Sequence, residues 1–318
     1  MASGVHDLAR LTGVPQTQTH IALVGTTASG KSALALALAR AHRDLELVSI
    51  DSMQVYRGMD IGTAKPTLAE RAEIPHHLVD LADPHEEFTV ARFQSEFAAV
   101  LAGIAGRGHR ALLVGGTGLY LRAVIDGLAI PGRYPEAVRE LEDATTAALH
   151  ERLAELDPVA ATRMEPGNRR RIVRALEVTV GSGRPFSSYG PGLTAYPDTR
   201  FRLVGVALPA PVVSTRIAER YHSQLAAGFL EEVRLLAERP QGLSRTAAQA
   251  LGYRELLSHV RGEVPLDDAV DEAVRRTRRF ARRQRSWFRR DPRIEWLESS
   301  EDPLDVLPSL ERIVSGQT

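Results

Sequence analysis

Three short stretches of the sequence carry the residues best suited to chemistry, and each follows an apolar run. In the first, GTTASGKS fits the pattern G-x-x-x-x-G-K-[ST], with a strand-like run (Ile21–Val24) before it and a helix-like run after it. Backbone N–H groups of such a loop wrap phosphate oxygens, and the helix N-terminus adds partial positive charge. We expect a diphosphate or a triphosphate here, because the loop alone does not distinguish them. The predicted phosphate contacts are Gly25, Thr26, Thr27, Ala28, Ser29, Gly30, Lys31 and Ser32.

The last two residues of this motif have separate expected roles. Lys31 reaches a terminal phosphate, and Ser32 ligates Mg²⁺, the cofactor that we expect. Lysine occurs only at Lys31 and Lys65, in a chain whose other cationic side chains are arginine, so a lysine at the motif position is informative. The alternative is a glycine-rich turn that binds no ligand.

The second stretch begins with an acidic residue, Asp51, directly after the predicted strand Leu45–Ile50. In a parallel sheet this strand end would place Asp51 beside the phosphate loop. A carboxylate there can ligate Mg²⁺ or act as a general base toward a nucleophile. An Asp that caps a helix is the alternative. The loop continues to Pro66, and loops this long beside a phosphate site are usually functional.

The third stretch, Gly115–Tyr120 (GGTGLY), follows the predicted strand Arg110–Val114. Its three glycines permit close approach of the backbone to a ligand, and the hydroxyl of Thr117 can donate to a phosphate oxygen. A tight strand-to-helix turn is the alternative. A P-loop NTPase would often have an acidic residue at this place, so the threonine argues against a site that activates water for hydrolysis.

The elements that must position these stretches alternate between strand and helix. This pattern predicts an α/β fold, a P-loop NTPase-like parallel sheet flanked by helices, whose ligands bind at the carboxyl ends of the strands. All three stretches lie at such ends. Helices are predicted over Ser32–Ala41, Phe88–Ala105, Pro135–Leu156, Asn168–Val180, Pro211–Glu238, Ser244–Val260 and Leu266–Arg290, and a returning strand over Phe201–Leu208.

The predicted domain organisation has a helical insertion within one core. Residues 1–20 are polar and lack periodicity, which is typical of a loose N-terminal extension. Residues 125–198 have Pro/Gly punctuation, helical patterns and no convincing strand, so we expect a helical insertion domain there. Residues 21–124 and 199–318 would then form the P-loop core.

Composition bounds the class of protein. Hydrophobic residues make up 43% and charged residues 25% of the 318, as in ordinary globular proteins. No apolar run suits a bilayer and no secretory signal precedes the first strand, so we expect a cytoplasmic protein without a membrane partner. A monomer is the expected oligomeric state. The lack of cysteine excludes disulfides, thiolate zinc sites and cysteine nucleophiles. His76 and His77 make a poor metal site, because neighbours in a strand point to opposite faces.

The basic residues are unevenly distributed, although the formal net charge is zero. Nine arginines lie between Arg275 and Arg290. So dense a run of like charges repels itself without a polyanion, and we expect it to bind RNA phosphates. The interleaved Phe280, Gln284, Trp287 and Phe288 fall at helical spacing, and the aromatic residues among them fit the apolar stripe of an amphipathic helix.

In this order and spacing, the three stretches resemble those of tRNA dimethylallyltransferases, also called isopentenyltransferases. The run Asp51–Pro66 together with Gly115–Tyr120 is the most specific part, and Thr26 is a difference, since the family often has proline there. The resemblance covers the chain from about Ile21 to Trp296. It includes HHLVD (His76–Asp80), RALEV (Arg174–Val178), GFLEEV (Gly228–Val233), LGYR (Leu251–Arg254) and RQRSWFR (Arg283–Arg289).

The resemblance implies a reaction. The N6 amine of the adenine 3′-adjacent to the tRNA anticodon attacks the first carbon of dimethylallyl diphosphate, and diphosphate leaves. Asp51, Thr117 and Arg216 would be catalytic: Asp51 as the base for the amine, the other two holding the diphosphate with Lys31 and Ser32. Mg²⁺ would bridge the phosphate oxygens. Arg220, one turn further on, is the alternative to Arg216 for this role. A further alternative is that Arg216 is a solvated helix arginine.

The resemblance also implies a tRNA partner, whose target base leaves the stack to reach the site. The insertion would grip the anticodon arm from the side. The implied contacts with the anticodon stem-loop are Asp51, Ser52, Met53, Gln54, Thr117, Arg139, Arg170, Arg171, Ile172, Val173, Arg174, Gln249, Gly252, Tyr253, Arg254, Arg282, Arg283, Gln284, Arg285, Trp287 and Arg289.

Two other functions stay open on the residues alone. A P-loop small-molecule kinase would transfer a phosphoryl group from ATP and would have no need of the arginine segment. A non-catalytic RNA-binding P-loop protein would tolerate loss of Asp51 and Thr117 but not of the arginines. Without the resemblance, the residues indicate a P-loop α/β enzyme with a basic face suited to RNA.

Overall fold

The structure is a computed structural model that describes residues 19–316. These residues divide into two compact units, one formed by 126–197 and the other by 19–125 together with 198–316. The insertion predicted over 125–198 begins one residue before the first unit and ends one residue after it. The extension predicted for residues 1–20 lies outside the described residues except at its end, where His20 already begins a strand.

Strands of the larger unit form one parallel sheet. Their bounds are His20–Gly25 (β1), Leu45–Ile50 (β2), His76–His77 (β3), Arg110–Gly115 (β4), Phe201–Ala207 (β5) and Ile294–Glu298 (β6). The order across the sheet is β3-β2-β4-β1-β5-β6, and every pairing is parallel. Strands β1, β2, β4 and β5 are rich in Val, Ile and Leu, as expected for strands covered on both faces.

Helices cover both faces of this sheet. In the larger unit they are Lys31–Ala41 (α1), Leu68–Glu73 (α2), Val90–Gly106 (α3), Gly118–Ile125 (α4), Ala210–Ala226 (α9), Phe229–Ala237 (α10), Tyr253–Val260 (α11), Leu266–Phe288 (α12) and Leu307–Ser315 (α13). In the smaller unit they are Pro135–Arg139 (α5), Thr146–Leu156 (α6), Pro158–Thr162 (α7) and Arg169–Ser182 (α8). Among the described residues, no helix is both long and apolar enough to cross a membrane.

Successive residues along the strands face opposite sides of the sheet and pack into two separate hydrophobic cores. Ala22 and Val24 of β1 face a core shared with α3, α4 and α9–α12, whereas Ile21 and Leu23 face one shared with α1 and α13. The period of two along a strand explains this division. The smaller unit has its own core, built around Leu153 and Leu176.

Two long predicted helices of the larger unit are each interrupted by a glycine. The helix predicted over Pro211–Glu238 breaks between α9 and α10, where Gly228 has φ +99°. The helix predicted over Ser244–Val260 begins only at α11, because Gly252 has φ +85° and a short 3-10 turn precedes it. Each segment was predicted as one continuous helix, which is wrong, because this backbone conformation ends a helix. Glycine adopts the conformation at little cost.

The helix predicted over Pro135–Leu156 is also wrong in continuity. The chain leaves the helix after Arg139, and a new helix begins at Thr146. Thr145 caps that second helix, because its side-chain oxygen accepts a hydrogen bond from the N–H of Ala148 at 3.3 Å. Threonine with an extended backbone is a common helix N-cap, and here it fixes where the second helix begins.

A buried carboxylate links neighbouring strands at the amino end of the sheet. Glu46 of β2 is 2% exposed. It accepts hydrogen bonds from Arg107 at 2.8 Å, from His77 at 2.6 Å and from His109 at 2.8 Å. Burial raises the pKa of Glu46, but these hydrogen bonds outweigh burial and lower the pKa to about 2.

We expect Glu46→Gln to lower the free energy of unfolding by about 1–3 kcal/mol at pH 7, because three donors lose a charged acceptor at a buried position. A carboxyl whose pKa is lower in the folded than in the unfolded chain stabilises the fold at pH values above the pKa that it has in the unfolded chain. This contribution to stability is lost as the pH falls through the pKa that it has in the folded chain. The difference between wild type and variant, from urea denaturation, should therefore shrink as pH falls from 4.5 toward 2.

The control is Glu295→Gln, which removes a half-exposed pair with Arg202. This change should cost about 0–1 kcal/mol. A difference for Glu46→Gln that stays constant between pH 4.5 and pH 2 would contradict the assigned hydrogen bonds.

Candidate active site at the carboxyl ends of the strands

The phosphate loop, Gly25–Ser32, leaves β1 and enters α1. Ala28 and Gly30 have φ values of +60° and +80° and turn the backbone over the end of the strand. No side chain caps α1, which begins at Lys31, so its first N–H groups are open to an anion. A Cβ on Gly30 would lie 2.1 Å from Cγ of Pro303, so both the backbone and the packing require glycine.

Lys31 folds back over this loop. Its Nζ donates a hydrogen bond to the carbonyl oxygen of Thr26 at 3.0 Å. Burial lowers the pKa of Lys31 to about 8; the negative charge of Asp51 opposes this shift, and the positive charge of Arg220 adds to it. An anion in the loop would favour the protonated lysine, so the site is suited to a negatively charged ligand.

The ends of β2 and β4 lie beside the phosphate loop because of the strand order. Gly115 is in register with both Ile50 of β2 and Val24 of β1. A Cβ on Gly115 would lie 2.1 Å from the carbonyl oxygen of Ile50. The hydroxyl oxygen of Thr117 accepts a hydrogen bond from the N–H of Ser52 at 3.3 Å. The turn that carries Thr117 therefore contacts the turn that carries Asp51.

Asp51 begins a turn and caps no helix. Its Oδ1 accepts a hydrogen bond from the N–H of Met53 at 2.8 Å. Within the described residues Oδ2 makes no hydrogen bond, and the side chain is half-buried. The helix-cap alternative is thus excluded, and one carboxylate oxygen is fixed by the turn while the other is available to a ligand.

The long loop after Asp51 is fastened by a carboxylate of α10. Glu232 accepts hydrogen bonds from three successive N–H groups, those of Asp60, Ile61 and Gly62, at 2.9, 2.8 and 3.2 Å. The hydroxyl of Tyr253 donates to the same carboxylate at 2.5 Å. Burial, followed by the charge of Glu232, raises the pKa of Tyr253, so its hydroxyl stays a donor. No role was predicted for Glu232 from the sequence, where it appears only within the motif GFLEEV.

A buried lysine fastens the same loop from its other end. Nζ of Lys65 donates to the carbonyl of Tyr56 at 2.6 Å, to Asp60 at 2.5 Å and to Asp80 at 2.7 Å. The rarity of lysine in this chain made Lys31 informative, and the same holds for Lys65. Gln54 adds hydrogen bonds to the carbonyls of Thr63 and Ala64.

Both candidate arginines of α9 reach the phosphate loop. Nε of Arg216 donates to the carbonyl of Ala28 at 3.1 Å. Arg220 donates to the hydroxyl of Thr27 at 3.2 Å and to the carbonyl of Gly62 at 3.4 Å. Arg216 is therefore not a solvated helix arginine, and Arg220 joins it beside the loop.

Helix α12 contacts the site through two side chains. Gln284 accepts a hydrogen bond from the N–H of Thr27 at 2.8 Å and donates one to the carbonyl of Gly116 at 2.9 Å. A Cβ on Gly116 would lie 2.2 Å from Nε2 of Gln284, and one on Gly118 would lie 2.1 Å from Nε1 of Trp287. The glycines of the third stretch thus make room for α12.

An apolar pocket opens beside Thr26 of the phosphate loop, between β5, α9 and α12. Arginine side chains of α12 also line it. The lining includes Val206, Leu208, Val213, Ile217, Ala281, Phe288, Trp296, Arg278, Arg282 and Arg285. Such a combination suits a ligand with a short hydrocarbon part and an anionic part.

Comparison with known proteins places this arrangement in a family. The profile of IPP transferases matches residues 54–291, and that of isopentenyl transferases matches residues 18–77. The chain belongs to the IPP transferase family. A tRNA dimethylallyltransferase from Nocardioides sp. is 52% identical over 291 residues, which is 89% of this chain and 92% of that protein.

Solved structures agree with this assignment. The tRNA isopentenylpyrophosphate transferase from Bacillus halodurans is 35% identical, with a TM-score of 0.68, covering 94% of this chain and 96% of that one. A eukaryotic dimethylallyltransferase, described as acting on tRNA, is 26% identical, with a TM-score of 0.78, covering 95% of this chain and 81% of that one. These likenesses bear out the P-loop-type parallel sheet.

In this IPP transferase, α12 presents its arginines unequally. Arg275, Arg276, Arg279 and Arg289 each pair with a carboxylate, whereas Arg282, Arg283, Arg285 and Arg290 pair with none in the described part of the chain. Arg282, Arg283 and Arg289 are exposed, and Arg285 and Trp287 are half-buried. The opposite side of the helix is buried and includes Phe288 and Gln284. Gln284 therefore does not lie on the arginine surface.

The other residues of the larger unit that were predicted to contact RNA differ in their solvent exposure. Gln249 and Arg254 are exposed. Gly252 and Tyr253 are buried, and Tyr253 supports the loop at Asp60–Gly62 through Glu232. Ser52, Met53 and Gln54 are half-buried in the turn after Asp51.

The smaller unit holds the remaining predicted contacts. Arg170 and Arg171 are exposed at the start of α8, and Arg139 is exposed with an ion pair to Glu136. Arg174 donates to the carbonyl of Pro131 at 2.7 Å and pairs with Glu177 at 2.8 Å. Val173 is half-buried and Ile172 lies in the core of this unit. That these residues contact tRNA stays a prediction.

The predicted Mg²⁺ ligand fits an ion that arrives with a phosphate. Ser32 is exposed, and its hydroxyl makes no hydrogen bond within residues 19–316. In the same range, no group of three or more His, Cys, Asp or Glu side chains is arranged to hold a metal. A serine hydroxyl, phosphate oxygens and water are the oxygen donors that Mg²⁺ prefers.

The pKa of Lys31 makes diphosphate binding sensitive to alkaline pH. Because protonated Lys31 attracts the anion, the Kd for inorganic diphosphate should rise above pH 8, by up to about tenfold per pH unit. Lys31→Met should weaken binding about 10- to 100-fold at pH 7 and remove this rise. Isothermal titration calorimetry from about pH 6.5 to 9.5 measures both. An equal rise in the variant would trace the effect to another titrating group of the protein and contradict the assignment.

Proposed function

We propose that this chain transfers a dimethylallyl group from dimethylallyl diphosphate to the N6 amine of the adenine 3′-adjacent to the anticodon in tRNA, releasing diphosphate. Support comes from the names of its relatives, such as the tRNA dimethylallyltransferase from Nocardioides sp.. The solved eukaryotic dimethylallyltransferase acts on tRNA and shares this fold. We also propose a cytoplasmic monomer, as the sequence analysis predicts.

One observation carries the proposal: an anion cradle, a carboxylate and an apolar pocket adjoin one edge of the sheet. The cradle is the phosphate loop with Lys31 and Arg216. The carboxylate is Asp51, whose turn contacts Thr117. The apolar pocket opens beside Thr26. A prenyl diphosphate needs a cradle and an apolar pocket, and an amine nucleophile needs a base.

Each group has a defined part in the proposed displacement. The amine nitrogen forms a bond to the first carbon of the donor as the bond from that carbon to the diphosphate oxygen breaks. The leaving diphosphate takes the electron pair, and Asp51 accepts the proton that the amine loses. Removal of this proton matters because the lone pair of an exocyclic adenine amine is delocalised into the ring. Asp51 needs no rearrangement, since the hydrogen bond from Met53 already orients its carboxylate.

The leaving group gains negative charge as its bond to carbon breaks. Lys31, Arg216 and the N–H groups at the start of α1 stabilise that charge from fixed positions. The hydroxyl of Thr117 can donate to a phosphate oxygen while its oxygen accepts from Ser52. Ser32 would hold Mg²⁺, which supplies further neutralisation of phosphate charge.

The hydrocarbon of the donor would occupy the pocket beside Thr26. Its apolar lining would keep water from the reacting carbon. The exposed arginines of α12 would bind the RNA backbone, where each phosphate contact releases counterions. The turn Gly116–Tyr120 after β4 contains no acidic residue, and this argues against a site that activates water for hydrolysis.

The direct test of the base is Asp51→Asn, which keeps an oxygen to accept the N–H of Met53 but removes the proton acceptor. We expect kcat for prenyl transfer to an unmodified anticodon stem-loop to fall about 10²- to 10⁴-fold, with little change in KM for dimethylallyl diphosphate. Single-turnover kinetics with radiolabelled donor and Mg²⁺ measure the rate.

The control for this test is Asp267→Asn, an equal change of charge at an exposed position of α12. It should leave kcat unchanged. Wild-type transfer with undiminished kcat in Asp51→Asn would reduce Asp51 to a turn residue. ATP-dependent phosphoryl transfer without prenyl transfer would favour the kinase, and RNA binding without either reaction would favour the non-catalytic alternative.

The unpaired arginines of α12 should govern the salt dependence of RNA binding. The double variant Arg282→Gln/Arg283→Gln should lower the slope of log Kd against log salt by about 1.4–1.8, as expected for two lost phosphate contacts. Arg275→Gln/Arg279→Gln is the control, because both arginines already pair with Glu272. Fluorescence anisotropy with a labelled stem-loop measures the slopes. Equal slopes for wild type and the first variant would place RNA elsewhere.

A further inference from the structure

Gln284 is a polar side chain on the buried side of a surface helix, where apolar side chains are usual. It is 6% exposed, although it lies in a segment dense with arginine. Both ends of its amide are used, and each contacts the backbone of a different loop. An amide that is both donor and acceptor can satisfy one N–H and one carbonyl together, which apolar and charged side chains cannot do.

The two loops that Gln284 joins are the two sides of the candidate site. The N–H of Thr27 belongs to the phosphate loop, and the carbonyl of Gly116 belongs to the turn that carries Thr117. Thr117 in turn accepts the N–H of Ser52, next to Asp51. One amide therefore sets the spacing between the diphosphate cradle and the turn that leads to the base.

The packing around this amide leaves no room for another arrangement. Gly116 and Gly118 bring the turn so close to α12 that a Cβ on either would lie within 2.2 Å of Gln284 or Trp287. The hydroxyl of Thr27 also accepts a hydrogen bond from Arg220. Thr27 is thus held on both its backbone and its side chain, while the N–H groups at the start of α1 stay uncapped for the anion.

We propose that Gln284 is a positioning residue, which holds the phosphate loop and the Thr117 turn at the separation that the reaction requires. It touches neither the diphosphate nor RNA. This inference rests on the proposed function for its kinetic consequence, but its effect on the phosphate loop stands apart from that function. Gln284 is therefore distinct from the exposed arginines on the same helix.

The charge of a substituted side chain provides the sharpest test. In Gln284→Glu, a protonated carboxyl can accept from Thr27 and donate to Gly116 as the amide does. Once ionised, it cannot donate, and its oxygen faces the carbonyl of Gly116. Burial beside the carbonyl of Gly116 raises the pKa of such a carboxyl, whereas the positive charge of Arg220, which contacts Thr27, lowers it. At a position only 6% exposed we expect burial to dominate, so the change falls in an accessible pH range.

We expect kcat of Gln284→Glu relative to wild type to be about 10- to 100-fold low at pH 8 and to recover as pH falls toward about 6. Gln284→Met, which keeps the length but loses both hydrogen bonds, should be low at every pH. Gln241→Glu, at an exposed position, should follow the wild-type profile. Thermal unfolding shows whether each variant is folded before its kinetics are compared.

Binding of inorganic diphosphate, measured by calorimetry, separates this inference from the proposed function. Gln284→Met should weaken diphosphate binding several-fold and leave the Kd for an anticodon stem-loop unchanged, whether or not wild type transfers a prenyl group. If wild type shows no transfer but the diphosphate result holds, the proposed function fails and the positioning role stands. A weaker stem-loop Kd with unchanged diphosphate binding would make Gln284 an RNA contact and overturn the inference. Wild-type diphosphate affinity in Gln284→Met, or a wild-type pH profile in Gln284→Glu, would also overturn it.

Discussion

The turn at Gly115–Gly118 lies between the phosphate loop and Asp51, and its lack of side chains lets neighbours contact its backbone. On one side, Gly115 packs against the carbonyl of Ile50 at the end of β2. On the other, α12 sits directly on Gly116 and Gly118. Parallel strands deliver their carboxyl ends to one edge, but only this close approach joins three separate strand ends into one site.

The electrostatics of the site follow from this close approach. Lys31, Arg216 and Arg220 lie around the phosphate loop, with Asp51 as the acidic neighbour of Lys31. Burial opposes the charge on Lys31, and an anion would reverse that effect. The carboxylates of Glu232 and Asp80 are turned toward supporting backbone and cations instead. The loops are thereby held in place, and the cradle stays net positive.

The sequence predicted the residues that carry the chemistry of this site better than the residues that hold its loops in place. The phosphate loop, Asp51 and Thr117 follow local patterns, because a motif and a strand end fix where each lies. Supporting contacts, such as those between Glu232 and Asp60–Gly62, join residues far apart in sequence. Local sequence patterns therefore do not predict them. Gln284 shows the same limit, since the family resemblance implied an RNA contact, while its burial depends on packing against the Gly116 turn and the phosphate loop.

The elements show a similar division. The strand Leu45–Ile50 was predicted at its observed bounds, because both its ends are marked by a change of composition. Strand β6 and helix α13 were not predicted, since Ile294–Glu298 alternates with charged residues and gains its place only by pairing with β5. Continuous helical patterns hid the breaks at Gly228 and Gly252, where the left-handed backbone is set by tertiary packing.

The central claim is that the cradle and Asp51 direct a prenyl group to one exocyclic amine. The most direct measurement uses two unmodified anticodon stem-loops, one with adenine and one with purine, which lacks the amine, 3′-adjacent to the anticodon. After incubation with dimethylallyl diphosphate and Mg²⁺, mass spectrometry of the nucleosides locates any added group. The account predicts addition at N6 of the adenine and none to the purine stem-loop. Equal addition to both, or none to either, would contradict it.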